Sequence, residues 1–310
     1  MISIIVPNYN HLQFLPKRLE TIINQSFQDF EIILLDDCSM DGSWEYLKQY
    51  ENHPKVRHCI RNEVNSGSPF KQWKKGLDLA KYDWVWIAES DDFSDLNFLE
   101  KFVSELNENV IFVFCNSNDV DEFGEEYVGF MNFDFPEGSS LFADSFQFQS
   151  NFFLQNYLIY RNYIRNASSV LFKKPRQFPK RIEQMQYSGD WFFWISLSNS
   201  KGCIKYLNEK LNFYRCHSGS TRVFKGHLNE FKRKTENFEC IKLGLNSIPF
   251  FSIFLLNLFH YYDDVKSFFN TVHKLGRFSL RAIFPNIPYV FLPLYYFLFV
   301  QSIFIKYGEK

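Results

Sequence analysis

At 310 residues the chain is long enough for one large α/β domain and an appendage, and its formal net charge of -1 excludes the broad basic field with which nucleic-acid binders gather phosphates. Six scattered cysteines, Cys38, Cys59, Cys115, Cys203, Cys216 and Cys240, form no C-x-x-C pair and lie at no zinc-finger spacing from histidine, so reduced thiols of a cytosolic protein are expected. Aromatic content of 20%, led by 38 Phe, gathers in the middle and at the C-terminus and implies packing there against rings or lipid.

The first residues, Met1-Ile2-Ser3-Ile4-Ile5-Val6, reach Pro7-Asn8-Tyr9-Asn10 without a basic n-region or a long apolar stretch. A buried strand is expected, not a signal peptide. Leu12, Leu15, Leu19, Ile22 and Ile23 follow at helical spacing. Apolar runs at 31–35, 56–60, 84–88 and 110–115 predict further buried strands, and the patterns at 44–50, 70–80 and 98–106 predict the helices between them. Strand and helix alternate, which implies a mainly parallel sheet flanked by helices, with ligands beyond the carboxyl ends of its strands. From 123 to 165 a Phe-, Asn- and Gln-rich stretch loses periodicity and is expected to be an insertion. Regular signals return with a strand at 169–172, a helix at 191–197, strands at 204–207 and 211–215, and a helix carrying Leu228, Phe231, Thr235, Phe238 and Leu245 on one face.

Two of the strand ends are acidic. The second strand runs into Asp36-Asp37-Cys38-Ser39-Met40-Asp41-Gly42-Ser43. Turn and cap chemistry explains Asp41 or Ser43, whereas adjacent carboxylates at a strand end also suit a nucleotide base or ribose; the residues leave both accounts open. The fourth strand ends in Glu89-Ser90-Asp91-Asp92. Three carboxylates within four residues repel one another, and a hard divalent cation, Mn²⁺ or Mg²⁺ shared with substrate phosphates, relieves that cost. A solvated loop with Asp92 or Ser94 as a helix cap is the bland alternative. No G-x-G-x-x-G follows a strand and no G-x-x-x-x-G-K-[ST] loop occurs, which argues against dehydrogenase and P-loop kinase chemistry.

Taken in order, Val6-Pro7-Asn8-Tyr9-Asn10, Asp36-Asp37-x-Ser39-x-Asp41-Gly42-Ser43, Asn65-x-Gly67 and Glu89-Ser90-Asp91-Asp92 resemble the family 2 glycosyltransferases over residues 1 to about 225. The resemblance implies an α/β GT-A fold, inverting transfer from a nucleotide-sugar donor that is often a UDP-sugar, and a divalent cation. It implies that Pro7 and Tyr9 line the base pocket, that Asp37 contacts the base, and that Glu89, Ser90 and Asp91 stand in for the family's Asp-x-Asp, with Asp91 on the metal. Glu89 departs from that pattern by one methylene. Ser188-Gly189-Asp190-Trp191 resembles the element before the acceptor-side helix, where Asp190 has the role of general base; a cap is the competing account. Tyr214-Arg215-Cys216-His217-x-x-Ser220 resembles the segment facing the diphosphate, and His217 becomes a candidate for metal or phosphate.

The implied division is a catalytic domain at 1–225, with a nucleotide-binding half at 1–118 and an acceptor half at 119–225, followed by a helical tail at 226–310. Between 265 and 310 the basic residues Lys266, Lys274, Arg277, Arg281, Lys306 and Lys310 face one acidic residue, Glu309, and 282–305 carries no charge. Such a segment suits an anionic membrane surface, although Pro285, Pro288 and Pro293 disfavour one regular spanning helix. Packing on protein is the alternative for it. The expected protein is a peripheral enzyme at the cytoplasmic face that glycosylates a glycan or lipid-linked acceptor, as in lipopolysaccharide or capsule assembly. The rival from another class is an inactive nucleotide-binding scaffold of a membrane-bound glycan assembly complex.

Overall fold

The computed structural model describes residues 1–126, 140–217 and 227–246. The chain divides between Ser220 and Thr221 into two compact units.

In the first unit, β1 (Ile2–Asn8) and β2 (Phe30–Asp36) are buried along their whole length. Mostly apolar strands buried on both sides, as these are apart from Ser3, Asn8, Glu31 and Asp36, belong in a sheet covered on both faces. β1 lies between β2 and β4 (Trp84–Ile87), and β2 pairs with β3 (Val56–Arg61), all in parallel. Their register brings Asn8 beside Asp36 and Ile5 beside Ile87. The acidic turns after β2 and β4 thereby flank the end of β1 on one rim.

Beyond β4 the sheet is mixed. β8 (Val170–Lys173) runs antiparallel to both β4 and β6 (Val110–Val120), whereas β6 and β9 (Cys203–Arg215) are parallel. The strands expected at 204–207 and 211–215 are one strand, because register shifts at Cys115, Asn116 and Ser117 absorb the exposed Asn208, Glu209 and Lys210 without ending the pairing. Two further strands join β9 antiparallel: β5 (Phe93–Ser94) and β7 (Phe146–Gln149), the latter inside the stretch expected to be an insertion.

Helix α1 (Leu15–Ile23) begins with Pro16 in its first turn and packs Leu15, Leu19 and Ile22 into a core with Ile4, Val6, Ile32, Leu34 and Trp86. Trp86 stacks on Phe98 of α4 (Phe98–Ser104) at 4.5 Å. Between β2 and β3, α2 (Ser43–Lys48) starts after Gly42, whose φ of 93° suits glycine. α3 (Pro69–Leu79) and α6 (Gly189–Ser198) meet where Trp73 touches Phe193 and Trp194 at 5.9 and 6.3 Å. A Cβ on Gly189 would sit 2.6 Å from the Phe70 ring, so the close approach of α6 to α3 requires glycine there. Between β7 and β8 lies the one-turn helix α5 (Ser150–Phe153).

In the second unit α7 (His227–Asn246) is helical as expected, with Lys234 paired to Glu230 one turn earlier at 2.9 Å. Of the face expected to be apolar, Leu228 and Thr235 are exposed and Phe231 and Phe238 half-buried, whereas Cys240 and Ile241, outside that face, are buried. No helix among the described residues is long and apolar enough to cross a membrane. The charge-free stretch at 282–305, its basic flanks within 266–310, and Ser220 lie outside the described residues.

Candidate active site

At the β1/β2 end of the rim, the two aspartates of the first acidic turn have separate tasks. Asp36 is fully buried and organises the turn: its Oδ1 accepts from Asn8 Nδ2 at 2.9 Å, its Oδ2 from the Ser39 amide at 2.9 Å, and Arg61 approaches at 3.5 Å. Asp37 collects four donors, namely Asn62 Nδ2 (2.6 Å), the Ser66 amide (2.9 Å), Ser66 Oγ (2.7 Å) and Gln72 Nε2 (2.8 Å). This cradle fixes the segment that holds Asn65 and Gly67. Asp41 accepts from the amides of Leu12 and Ser43 at 2.9 and 3.0 Å, as turn chemistry requires. Pro7 is buried in β1, while Tyr9, 45% exposed, projects from the rim. Asn10 and Cys38 adopt left-handed backbone with φ of 54° and 64°; the Asn10 amide donates to Ser39 Oγ and its Oδ1 accepts from the Met40 amide. Cys38 is a costly residue in that region, and backbone strain of this kind collects at functional rims.

The turn after β4 is held from several sides. Glu89 Oε1 accepts from Trp73 Nε1 at 2.8 Å, and its amide donates to Ser168 Oγ at 3.1 Å. Burial first, and then the charge of Asp91, pushes the Glu89 carboxyl up to about 8. Asp92 is buried: Asn166 Nδ2 donates to its Oδ2 and the Arg215 amide to its Oδ1 at 3.0 Å. Burial and the Asp91 charge raise its carboxyl as well. Arg215 is spent on structure, since Nε donates to the Asp91 carbonyl at 2.8 Å, Nη1 to the Glu122 carbonyl at 2.8 Å, and the guanidinium lies 4.7 Å from the Phe14 ring. Arg18 of α1 is entirely buried, its three side-chain nitrogens find no hydrogen-bond partner among the described residues, and its guanidinium sits 4.9 Å from the Trp86 ring. Burial lowers it to about 10 while Asp92, Asp91 and Glu89 favour its charge. The acidic turn is thus built with two buried cations, Arg18 and Arg215, within electrostatic reach.

Three side chains converge at this turn. His217 Nε2 lies 3.1 Å from Asp91 Oδ2, and His11 Nδ1 lies 2.8 Å from Ser90 Oγ. The ligand atoms of His11, Asp91 and His217 all lie within 4.8 Å of one another. Burial opposes the charge on Asp91, but the His217 hydrogen bond and the neighbouring His11 hold its carboxyl low. Burial also lowers His11, which leaves a neutral imidazole with a lone pair near pH 7. An ionised carboxylate and two imidazoles whose ligand atoms lie within 4.8 Å of one another fit the shell of a divalent cation.

Asp190 is the second residue of α6, not its cap. Its Oδ1 accepts from the Trp191 amide at 2.7 Å, relieving one free donor of the helix start, and its Oδ2 accepts from Asn162 Nδ2 at 2.9 Å. The carboxylate is therefore oriented from two directions. Sequence reasoning singled out Asp91, His217 and Asp190 but not His11 or Asn162, and gave no individual role to Asn166 or Ser168. His11 directly follows Pro7-Asn8-Tyr9-Asn10 at a strand end, a position that could have marked it; no local signal marks Asn162.

Residues 3–169 match the family described as Glycosyl transferase family 2. The chain is 27% identical over 266 residues to Glycosyltransferase GlyG of Streptococcus pneumoniae serotype 4, across 79% of this chain and 82% of the relative. It is 29% identical over 116 residues to the poly(ribitol-phosphate) beta-N-acetylglucosaminyltransferase TarS of Staphylococcus aureus, across 36% of this chain and 20% of the relative. The structure of TarS 1-349 in complex with UDP-GlcNAc superposes with a TM-score of 0.59 at 16% identity, covering 97% of this chain and 88% of the other. Mannosyltransferase PcManGT from Pyrobaculum calidifontis, in complex with GDP-Man and Mn²⁺, gives a TM-score of 0.57 at 14% identity, covering 100% and 88%.

Proposed function

The chain belongs to glycosyl transferase family 2 and has the GT-A fold, and from that premise we propose that this glycosyltransferase moves a sugar from a UDP-sugar to a hydroxyl of a glycan or lipid-linked acceptor, with inversion, in cell-surface polysaccharide assembly. The observation that carries the reading is the approach of His217 Nε2 to Asp91 Oδ2 at 3.1 Å at the rim of the parallel strands, where ligands of such sheets bind. TarS binding UDP-GlcNAc and PcManGT binding GDP-Man with Mn²⁺ support a nucleotide-sugar donor and a divalent cation. The poly(ribitol-phosphate) named as the TarS acceptor supports a polysaccharide setting.

In this reading residues 1–225 form the catalytic domain, with the donor half at 1–118 and the acceptor half at 119–225. Pro7 and Tyr9 flank the base. Asp37 meets the base by exchanging one of its four internal donors for a base N–H. Glu89 and Ser90 shape the donor side, and Asp91 and His217 hold the cation, Mn²⁺ or Mg²⁺. The cation supplies charge neutralisation to the leaving diphosphate. Asp190, kept in place by Asn162 and by the start of α6, takes the proton from the acceptor hydroxyl as that oxygen attacks the anomeric carbon. A single in-line displacement inverts the centre. The basic and aromatic residues of 266–310 bring the chain to the cytoplasmic face of a membrane, where a lipid-linked acceptor would lie.

The experiment is release of nucleoside diphosphate from a panel of UDP- and GDP-sugars, offered with glycan acceptors and Mn²⁺. One donor is expected to turn over with a β product from an α-linked donor. Retention of configuration would contradict the displacement, and absence of turnover with every donor would favour the scaffold.

A further inference from the structure

We propose that His11 is a third protein ligand of the divalent cation, and that the resulting set of two imidazoles and one carboxylate makes the site prefer Mn²⁺ and its first-row neighbours to Mg²⁺. The inference rests on the cation reading of Asp91 and His217 given above and adds to it a residue and a selectivity.

Geometry comes first. Metal–ligand bonds of roughly 2.1–2.2 Å at right angles place neighbouring ligand atoms about 3.0 Å apart, and opposite ones about 4.3 Å apart. His217 Nε2 and Asp91 Oδ2 are 3.1 Å apart, the separation of two adjacent ligands on one ion, and His11 brings all three ligand atoms within 4.8 Å of one another. The two imidazole rings meet edge to face, with centroids 5.4 Å apart and planes at 87°. Rings so crossed can aim nitrogens at a common point without stacking.

The surroundings of His11 position it for ligation. Ser90 Oγ engages Nδ1 at 2.8 Å, which fixes the ring; in the tautomer whose Nδ1–H donates to that oxygen, Nε2 carries the lone pair. Phe14 packs against the ring at 5.7 Å, and the left-handed backbone of Asn10 turns the chain just before it. Ser90 and Asp91 are adjacent in the chain, so one turn orients the imidazole and supplies the carboxylate beside it.

Selectivity follows from the donor atoms. Mg²⁺ prefers oxygen ligands, demands near-ideal octahedral geometry and sheds water reluctantly, whereas imidazole suits the first-row transition ions. A second neutral imidazole adds a bond without adding charge. Asp91 then cancels one unit of the cation's charge, and the remaining positive charge is available to a diphosphate.

The test uses the full chain freed of metal by chelation, titrated with Mn²⁺ and Mg²⁺, and pulsed electron paramagnetic resonance of the bound Mn²⁺ to count nitrogen ligands. Wild type is expected to show two nitrogens and to bind Mn²⁺ at least about tenfold more tightly than Mg²⁺. His11→Phe, which keeps a ring against Phe14, and His11→Gln are each expected to show one nitrogen, with Mn²⁺ affinity reduced about 10–100-fold and Mg²⁺ affinity changed less than about twofold. Thermal melting within a few degrees of wild type qualifies either variant as folded. Two nitrogens retained in a folded variant would overturn the proposal, as would equal weakening of both cations. A wild-type protein with one nitrogen, lost in His217→Asn, would remove His11 and leave the cation reading intact. Failure of wild type to bind either cation, with or without UDP, would strike the cation reading itself.

Discussion

Replacing Asn166 with Ala should loosen the acidic turn after β4 without touching a residue assigned to the donor or the cation. Asn166 Nδ2 donates to the buried Asp92 carboxyl, and its Oδ1 accepts from Asn212 Nδ2 at 3.2 Å. Leaving a buried carboxyl oxygen without its donor costs about 1–3 kcal/mol, and losing a neutral hydrogen bond about 1 kcal/mol. Asn212 Nδ2 keeps a second acceptor in Ser117 Oγ at 3.0 Å, which limits the second loss. The expected destabilisation is therefore about 2–4 kcal/mol, a sizeable share of the stability of an ordinary domain. All six tryptophans lie between Trp44 and Trp194, so their fluorescence in urea reports on the first unit alone. With a slope of about 3 kcal/mol per molar, the midpoint should fall by roughly 1 M at unchanged slope. A midpoint that moves by less than about 0.2 M would refute the assignment of Asn166 as a prop of this turn.

Asp91→Asn should abolish the metal dependence of UDP binding measured by calorimetry, while binding without metal stays at its wild-type level. Asp190→Asn should leave donor binding intact and lower transfer by roughly two to four powers of ten; near-normal transfer would reduce Asp190 to a residue that steadies the start of α6. Gly189→Ala should place a methyl within 2.6 Å of the Phe70 ring and cost about 1–3 kcal/mol in a thermal melt, since the ring must shift for α6 to keep its seat on α3.

The parallel half of the sheet was legible because β1 and β2 are buried on both faces, and 2–6 and 31–35 therefore read as apolar runs interrupted only by Ser3 and Glu31, which hydrogen-bond each other. Register did the rest: once Asn8 stands beside Asp36, the acidic turns share a rim. β7 hid in plain sight, since Phe146-Gln147-Phe148-Gln149 alternates as an edge strand should, but its partner β9 is far along the chain. The two-residue β5 is too short for any periodicity. At the site, Asp91 and Asp190 were readable from carboxylates at the ends of elements. Asn162 and Asn166 were not, because each meets its carboxylate across 28 and 74 residues of sequence. His11 stands just past the polar end of the first strand, but only the fold places it beside Asp91 and His217.

The central claim is a cation-dependent nucleotide-sugar site, and thermal stabilisation of the purified chain by UDP, GDP and their common sugars, with and without Mn²⁺, tests it most directly. The account predicts a shift with one nucleotide class that requires Mn²⁺ and vanishes in Asp91→Asn. No shift with any nucleotide, or a shift of equal size without the metal, would contradict it.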